Sequence, residues 1–217
     1  PLYNKFSPLD NDALKQRIQI LLDKCGFRSK GIFVMDGSKR SGHGNAYFTG
    51  FGSNKRIVFF DTLLESLSPE EIEAVLAHEL GHFKLKHIQK RLLSTSALSL
   101  SALALLGWLA GQDWFYLGLG VSQPSAWMAL MLFMMVFPVF TFFIQPVMSL
   151  LSRKHEFEAD AYAVQQSSGA DLIHALVKMY RENASTLTPD PLYSAFHDSH
   201  PPAPVRISHI AANMSTT

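Results

Sequence analysis

The chain has 217 residues, of which 47% are hydrophobic and only 17% charged, against roughly 25% charged in ordinary soluble domains. That length admits one domain with a sizeable core or a small domain joined to membrane-spanning helices, and the depleted charge favours the second. A formal net charge of +1, with acidic and basic residues spread through both ends, argues against nucleic acid as a partner.

The single cysteine, Cys25, excludes an internal disulfide framework and reads as a small buried apolar side chain. The sequence opens at Pro1 without a signal-peptide pattern, which reads as a segment of a longer protein. Leu14, Ile18, Leu21 and Leu22 recur at helical spacing and predict a helix over 11–25. Gly31 to Asp36, Asn45 to Phe51 and Arg56 to Asp61 read as three short strands, the last two joined in a hairpin by Gly52, Ser53 and Asn54. Ser68, Pro69 and Glu71 then mark a helix start, with Ser as N-cap, Pro in the first turn and Glu completing a capping box. This helix continues through His78 and His82.

Between Arg91 and Arg153 the only charged residue is Asp113. Leu92 to Ala110 and Ala126 to Leu151 each approach or exceed the ~20 apolar residues that a bilayer-spanning helix needs. Gly111, Gln112, Asp113 and Pro124 break the pattern between them, while Trp108, Trp114, Tyr116 and Trp127 fall where interfacial aromatics belong. Lys84, Lys86, Lys90 and Arg91 on one flank and Arg153 and Lys154 on the other put both ends on the positive, cytoplasm-like face. The competing expectation is a buried soluble helical hairpin, to which Ser94, Ser96, Ser99 and Ser101 lend some weight. Pro138 and Pro146 are tolerable in a packed membrane helix but are expected to kink it. Beyond the hairpin, His155 to Gln166 and Asp171 to Glu182 read as two separate helices, followed by a Pro-rich tail.

His78, Glu79 and His82 form H-E-x-x-H, whose i,i+4 spacing stacks two imidazoles on one helical face within reach of a single ion. Glu79, beside the first ligand, can then address a water at that ion. The bland alternative is two solvent-facing histidines next to a surface glutamate. A catalytic zinc takes three protein ligands and keeps one open position. The expected source of the third is His155-Glu156-Phe157-Glu158-Ala159-Asp160, which returns from the hairpin to the side that His82 left. Glu156 and Asp160 share one face, so one can ligate while the other supports a ligand histidine. Glu158 reads as a solvated helix charge, and His87 and His155 as flanking polar residues.

Four blocks, HELGHFKLKH, SKRSGHGNAYFTGFGSNKRIVFFDTLL, SRKHEFEADAYA and LYSAFHDSHPPAPVRI, taken in this order, resemble the type I CAAX prenyl protease family. These are integral-membrane zinc metalloproteases related to HtpX-type quality-control proteases. The resemblance covers nearly the whole chain. It implies a mainly α fold with a small β-sheet, a zincin-like gluzincin domain interrupted by a two-helix transmembrane hairpin. Residues 1–91 then supply its N-terminal half, 92–152 the hairpin and 153–217 its C-terminal half; further transmembrane helices upstream are absent from this sequence. The resemblance also implies one Zn2+ ion held by His78, His82 and Glu156, with Asp160 as supporting carboxylate and His200 and Arg206 in the active site, where donors would face a developing oxyanion. The segment His43 to Phe51 resembles the family's cleft strand, placing Asn45 and Tyr47 as substrate contacts of an edge strand that holds an extended peptide.

The expected function is a multi-pass membrane zinc metalloendopeptidase, with membrane lipid around it and its active site on the cytoplasmic side of a bacterial inner membrane or the endoplasmic reticulum. The substrate implied by the resemblance is a peptide or protein with a prenylated CAAX terminus. A broad-specificity quality-control protease and a non-catalytic zinc-binding membrane scaffold are the alternatives.

Overall fold

The computed structural model describes residues 4–39, 42, 44–49, 55–182, 186 and 188–215. Helix α1 (Asp12–Lys24) starts where the Asn11 side chain accepts the Leu14 amide hydrogen, and it buries Leu14, Ile18, Leu21 and Leu22 as its spacing requires. Among the described residues the strands are β1 (Phe6–Pro8), β2 (Ile32–Met35), β3 (Ala46–Thr49) and β4 (Arg56–Phe60). They form one sheet in the order β1-β2-β4-β3, with β2 and β4 parallel and the outer pairs antiparallel. The expected hairpin is the β3–β4 pair; Gly50 to Asn54, including its turn, lie outside the described residues. Strand β1 escaped sequence reading because it is three residues long and exposed throughout.

The short α2 (Asp61–Ser66) leads into α3 (Pro69–Lys84). The predicted capping box is present: the Glu71 amide donates to Ser68 Oγ at 3.3 Å, and the Ser68 amide donates to Glu71 Oε2 at 2.7 Å. Lys178 adds a 2.7 Å ion pair to the same carboxylate. α3 is the central element. Its Ile72, Leu76 and Leu80 meet Ile18, Leu22, Ile57, Phe59, Leu172 and Leu176 in one continuous core, and each such buried side chain contributes about 1.5–3 kcal/mol.

The apolar region forms α4 (His87–Leu109), a short α5 (Asp113–Gly118) and α6 (Ala126–Gln166). α5 occupies the expected turn, and its Phe115 and Tyr116 pack on Ala129 and Leu132 to close the far end of the hairpin. α4 and α6 are both long and apolar enough to cross a membrane, and 0% and 11% of their most apolar stretches are buried within the chain. A soluble core hairpin would hide those faces; here Leu93, Leu100, Met135 and Phe143 point outward.

α6 corrects one expectation. The segments Ala126 to Leu151 and His155 to Gln166 are a single 41-residue helix, continuous through Pro138 and Pro146. Nothing between Leu151 and His155 breaks a helix, and at 1.5 Å per residue the element extends roughly 60 Å, about twice a hydrocarbon core. Its first half is the apolar span and its second half belongs to the polar domain. α7 (Gly169–Glu182) follows. The Pro-rich tail then holds two helices not expected from sequence, α8 (Pro191–His197) and α9 (Ala203–Met214), each with a proline in its first turn, where the missing amide hydrogen costs nothing.

Candidate metal centre

α3 and the polar half of α6 lie side by side, and Gly81 permits the approach: a Cβ there would sit 3.0 Å from Ala159 Cα and 3.2 Å from Ala159 O. This contact aligns the two-histidine face of α3 with Glu156 on α6. His78 Nε2 and His82 Nε2 are 3.1 Å apart. Glu156 Oε2 is 3.6 Å from His78 Nε2, and its Oε1 is 3.3 Å from His82 Nε2. Ligands about 2.0–2.1 Å from a tetrahedral zinc stand about 3.3 Å from one another, close to the spacing of these pairs, and one ligand atom from each of the three residues lies within 4.8 Å of the others. Two imidazoles and a carboxylate suit zinc, and leave a fourth position for water.

Behind the donors lies a buried ionic group. Asp160 Oδ1 accepts from His78 Nδ1 at 2.8 Å, and Arg206 on α9 donates to both Asp160 oxygens at 2.6 and 2.9 Å. Asp160 is 0% exposed. Although burial raises its pKa, the hydrogen bonds from His78 and Arg206 hold that carboxyl down to about 2. Burial opposes ionisation of Glu156 too, yet the His82 hydrogen bond and the His78 and Arg206 charges keep it near 2. Both groups are therefore carboxylates at neutral pH, the form in which they could hold a metal or support a ligand histidine.

Glu79 lines the cavity in front of these donors, about 470 Å³ in volume, together with Asn45, His200 and Arg206. His200 is exposed and reaches within 3.5 Å of Glu156 Oε1. Arg206 is buried, and its Nη1 lies 3.4 Å from Glu156 Oε2. The structure thus brings together His78, Glu79, His82, Glu156, Asp160, His200, Arg206 and Asn45. β3, which carries Tyr47, is an edge strand, but Tyr47 itself turns its ring edge to Phe60 and its hydroxyl toward Met35 Sδ at 3.8 Å, away from the cavity lining. His43 lies outside the described residues.

Three residues expected to be peripheral are not. His87 is 4% exposed; its Nδ1 faces His82 Nδ1 at 2.9 Å and its Nε2 faces Glu158 Oε2 at 2.9 Å. His155 stacks on its ring. Burial pushes the His87 imidazole down to about 4, against the opposing pull of Glu158, so it is neutral. No spacing rule pairs residues 87 and 158, because the contact depends on the turn between α3 and α4.

The profile of peptidase family M48 matches residues 8–214. The CAAX prenyl protease 1 of Saccharomyces cerevisiae is 39% identical over 224 residues, covering 96% of this chain and 49% of the relative. The CAAX prenyl protease 1 homolog of Arabidopsis thaliana is 39% identical over 211 residues, covering 97% and 50%. The crystal structure of S. mikatae Ste24p matches with a TM-score of 0.87 at 39% identity, over 97% of this chain and 52% of that one. The chain spans about half the length of the curated relatives it matches.

Proposed function

The chain belongs to peptidase family M48, and from that premise we propose that it carries the catalytic centre of a membrane-embedded zinc metalloendopeptidase that processes prenylated CAAX termini. The observation that carries this reading is the convergence of His78, His82 and Glu156, with one ligand atom of each within 4.8 Å of the others, beside Glu79 in one cavity. The substrate class comes from the names of the relatives, and the membrane setting from the two exposed apolar helices. The flanking Lys84, Lys86, Lys90, Arg91, Arg153 and Lys154 support a cytoplasmic face for the centre.

His78, His82 and Glu156 would hold the ion. Zinc in such a site lowers the pKa of water and polarises a carbonyl. Glu79 takes the proton from the attacking water and delivers it to the leaving amine nitrogen as the peptide C–N bond breaks. Asp160 fixes the His78 ring, with Arg206 spanning both carboxylates. His200, exposed at the cavity mouth with Nε2 3.5 Å from Glu156 Oε1, donates to the substrate carbonyl oxygen as charge builds on it. Asn45 and the outer edge of β3 offer backbone pairing to an extended peptide.

Glu79→Gln tests the assignment: one equivalent of zinc should remain bound while hydrolysis falls by about 100-fold or more. Retained hydrolysis would remove Glu79 from its role. Assaying a farnesylated peptide against its unlipidated twin tests the substrate class, and equal cleavage of the two would replace CAAX processing by a broader endopeptidase activity.

A further inference from the structure

His87 lies five positions after His82, a spacing that on an unbroken helix would set the two side chains about 140° apart. They face each other because the helix is broken. α3 ends at Lys84, Lys86 takes a left-handed φ of 58°, and α4 restarts at His87. The reversal folds the His87 imidazole back against His82, with the two Nδ1 atoms 2.9 Å apart. The other face of the contact is set by α6, where Glu158 Oε2 lies 2.9 Å from His87 Nε2. The His155 ring is parallel to His87 within 14°, with centroids 4.2 Å apart, so His87 cannot rotate without losing the stack.

An ion at His82 Nε2 would fix where the hydrogens of the His82–His87–Glu158 relay sit. His82 turns Nε2 toward His78 Nε2 and Glu156, so when Nε2 ligates an ion the hydrogen of the neutral ring sits on Nδ1 and must be donated. Among the described residues the acceptor opposite it is His87 Nδ1, which is therefore the unprotonated nitrogen of that ring. The His87 hydrogen then sits on Nε2 and goes to the Glu158 carboxylate. We infer that His87, held by Glu158, is a positioning residue that fixes the tautomer and ring plane of His82, as Asp160 does for His78. This rests on the proposed ion at His78, His82 and Glu156.

The same groups invite a different reading. His87, His155 and Glu158 present donor atoms within 4.8 Å of one another, close enough for a second cation. That reading needs a free lone pair on His87 Nε2, and the hydrogen given to Glu158 occupies that position. Stacked parallel rings also aim their in-plane lone pairs side by side and not at one point.

The test is zinc affinity, measured by chelator competition on the full-length protein in detergent, together with the visible absorption of the cobalt-substituted form. His87→Phe keeps the ring stack but strands the His82 donor. It should weaken zinc binding on the order of 10- to 100-fold and shift the cobalt bands. Glu158→Gln, at a partly exposed position, should move both readouts in the same direction by less. His87→Gln, which can accept from His82 and donate to Glu158, should recover most of the loss. Wild-type affinity and an unshifted cobalt spectrum in His87→Phe would overturn the role while leaving the three-ligand centre intact. A second bound equivalent of zinc that disappears in His87→Phe would overturn it in favour of the cation site. Wild-type protein that binds no zinc would overturn the centre and this role together.

Discussion

Adding one methyl group at Gly81 should separate the metal centre from the stability of the fold. A Cβ at this position would lie 3.0 Å from Ala159 Cα and 3.2 Å from both Ala159 O and Tyr162 Cβ, whereas carbon atoms settle at about 3.5–4.0 Å. The nearest obstacle is backbone, so no side-chain rotation relieves it, and α3 and α6 must part by on the order of 0.5 Å. Overpacking of this kind costs about 1–3 kcal/mol, while alanine gains about 1 kcal/mol over glycine in a helix interior. The net loss of stability in Gly81→Ala is therefore between about zero and 2 kcal/mol. The centre has less tolerance. Gly81 precedes His82, Ala159 lies between Glu156 and Asp160, and metal–ligand distances hold to about 0.2 Å. Zinc affinity should fall at least on the order of tenfold, equivalent to about 1.4 kcal/mol. Chelator competition and thermal unfolding on the same preparation measure the two effects. Wild-type zinc affinity in Gly81→Ala would refute the claim that this contact sets the spacing between the histidines and Glu156.

Asp160→Asn removes the charge that Arg206 and His78 share and should weaken zinc binding on the order of 10- to 100-fold, read by the same competition. Ser68→Ala removes one half of the capping box and should lower stability by about 1 kcal/mol, seen as a lower Tm with zinc affinity preserved. Glu71→Gln tests the other half through pH. Burial raises the Glu71 carboxyl, but Lys178 and the Ser68 amide bring it below its ordinary 4.5. Its stabilisation is therefore full above that value and lost as pH falls through the lower folded one. The Tm gap between wild type and Glu71→Gln should accordingly close on acidification, and a gap that widens in acid would contradict the sign.

Much of this site was legible because its spacing follows from helix geometry. His78 and His82 must share a face wherever the helix lies, and Glu156 and Asp160 repeat the argument on α6. The hairpin was legible because the stretch from Leu92 to Ser152, with Asp113 its only charge, has few homes in water. The continuity of α6 was not, since hydropathy marks where lipid contact ends and says nothing of where a helix ends. α8 and α9 were hidden by prolines that read as breakers but stand at helix starts. The His82–His87–Glu158 chain was hidden more deeply. It depends on a left-handed Lys86, a conformation for which a lysine gives no warning, and on the packing of α4 against α6. The Tyr47 hydroxyl stands 3.8 Å from Met35 Sδ, a contact made through the folded sheet that no local spacing announces.

X-ray absorption at the zinc edge tests the central claim most directly. For wild-type protein loaded with one equivalent, the account predicts a first shell of two imidazole nitrogens and carboxylate oxygen at about 2.0–2.2 Å, with the oxygen contribution altered in Glu156→Gln. A shell lacking the two imidazoles, or one that Glu156→Gln leaves unchanged, would contradict it.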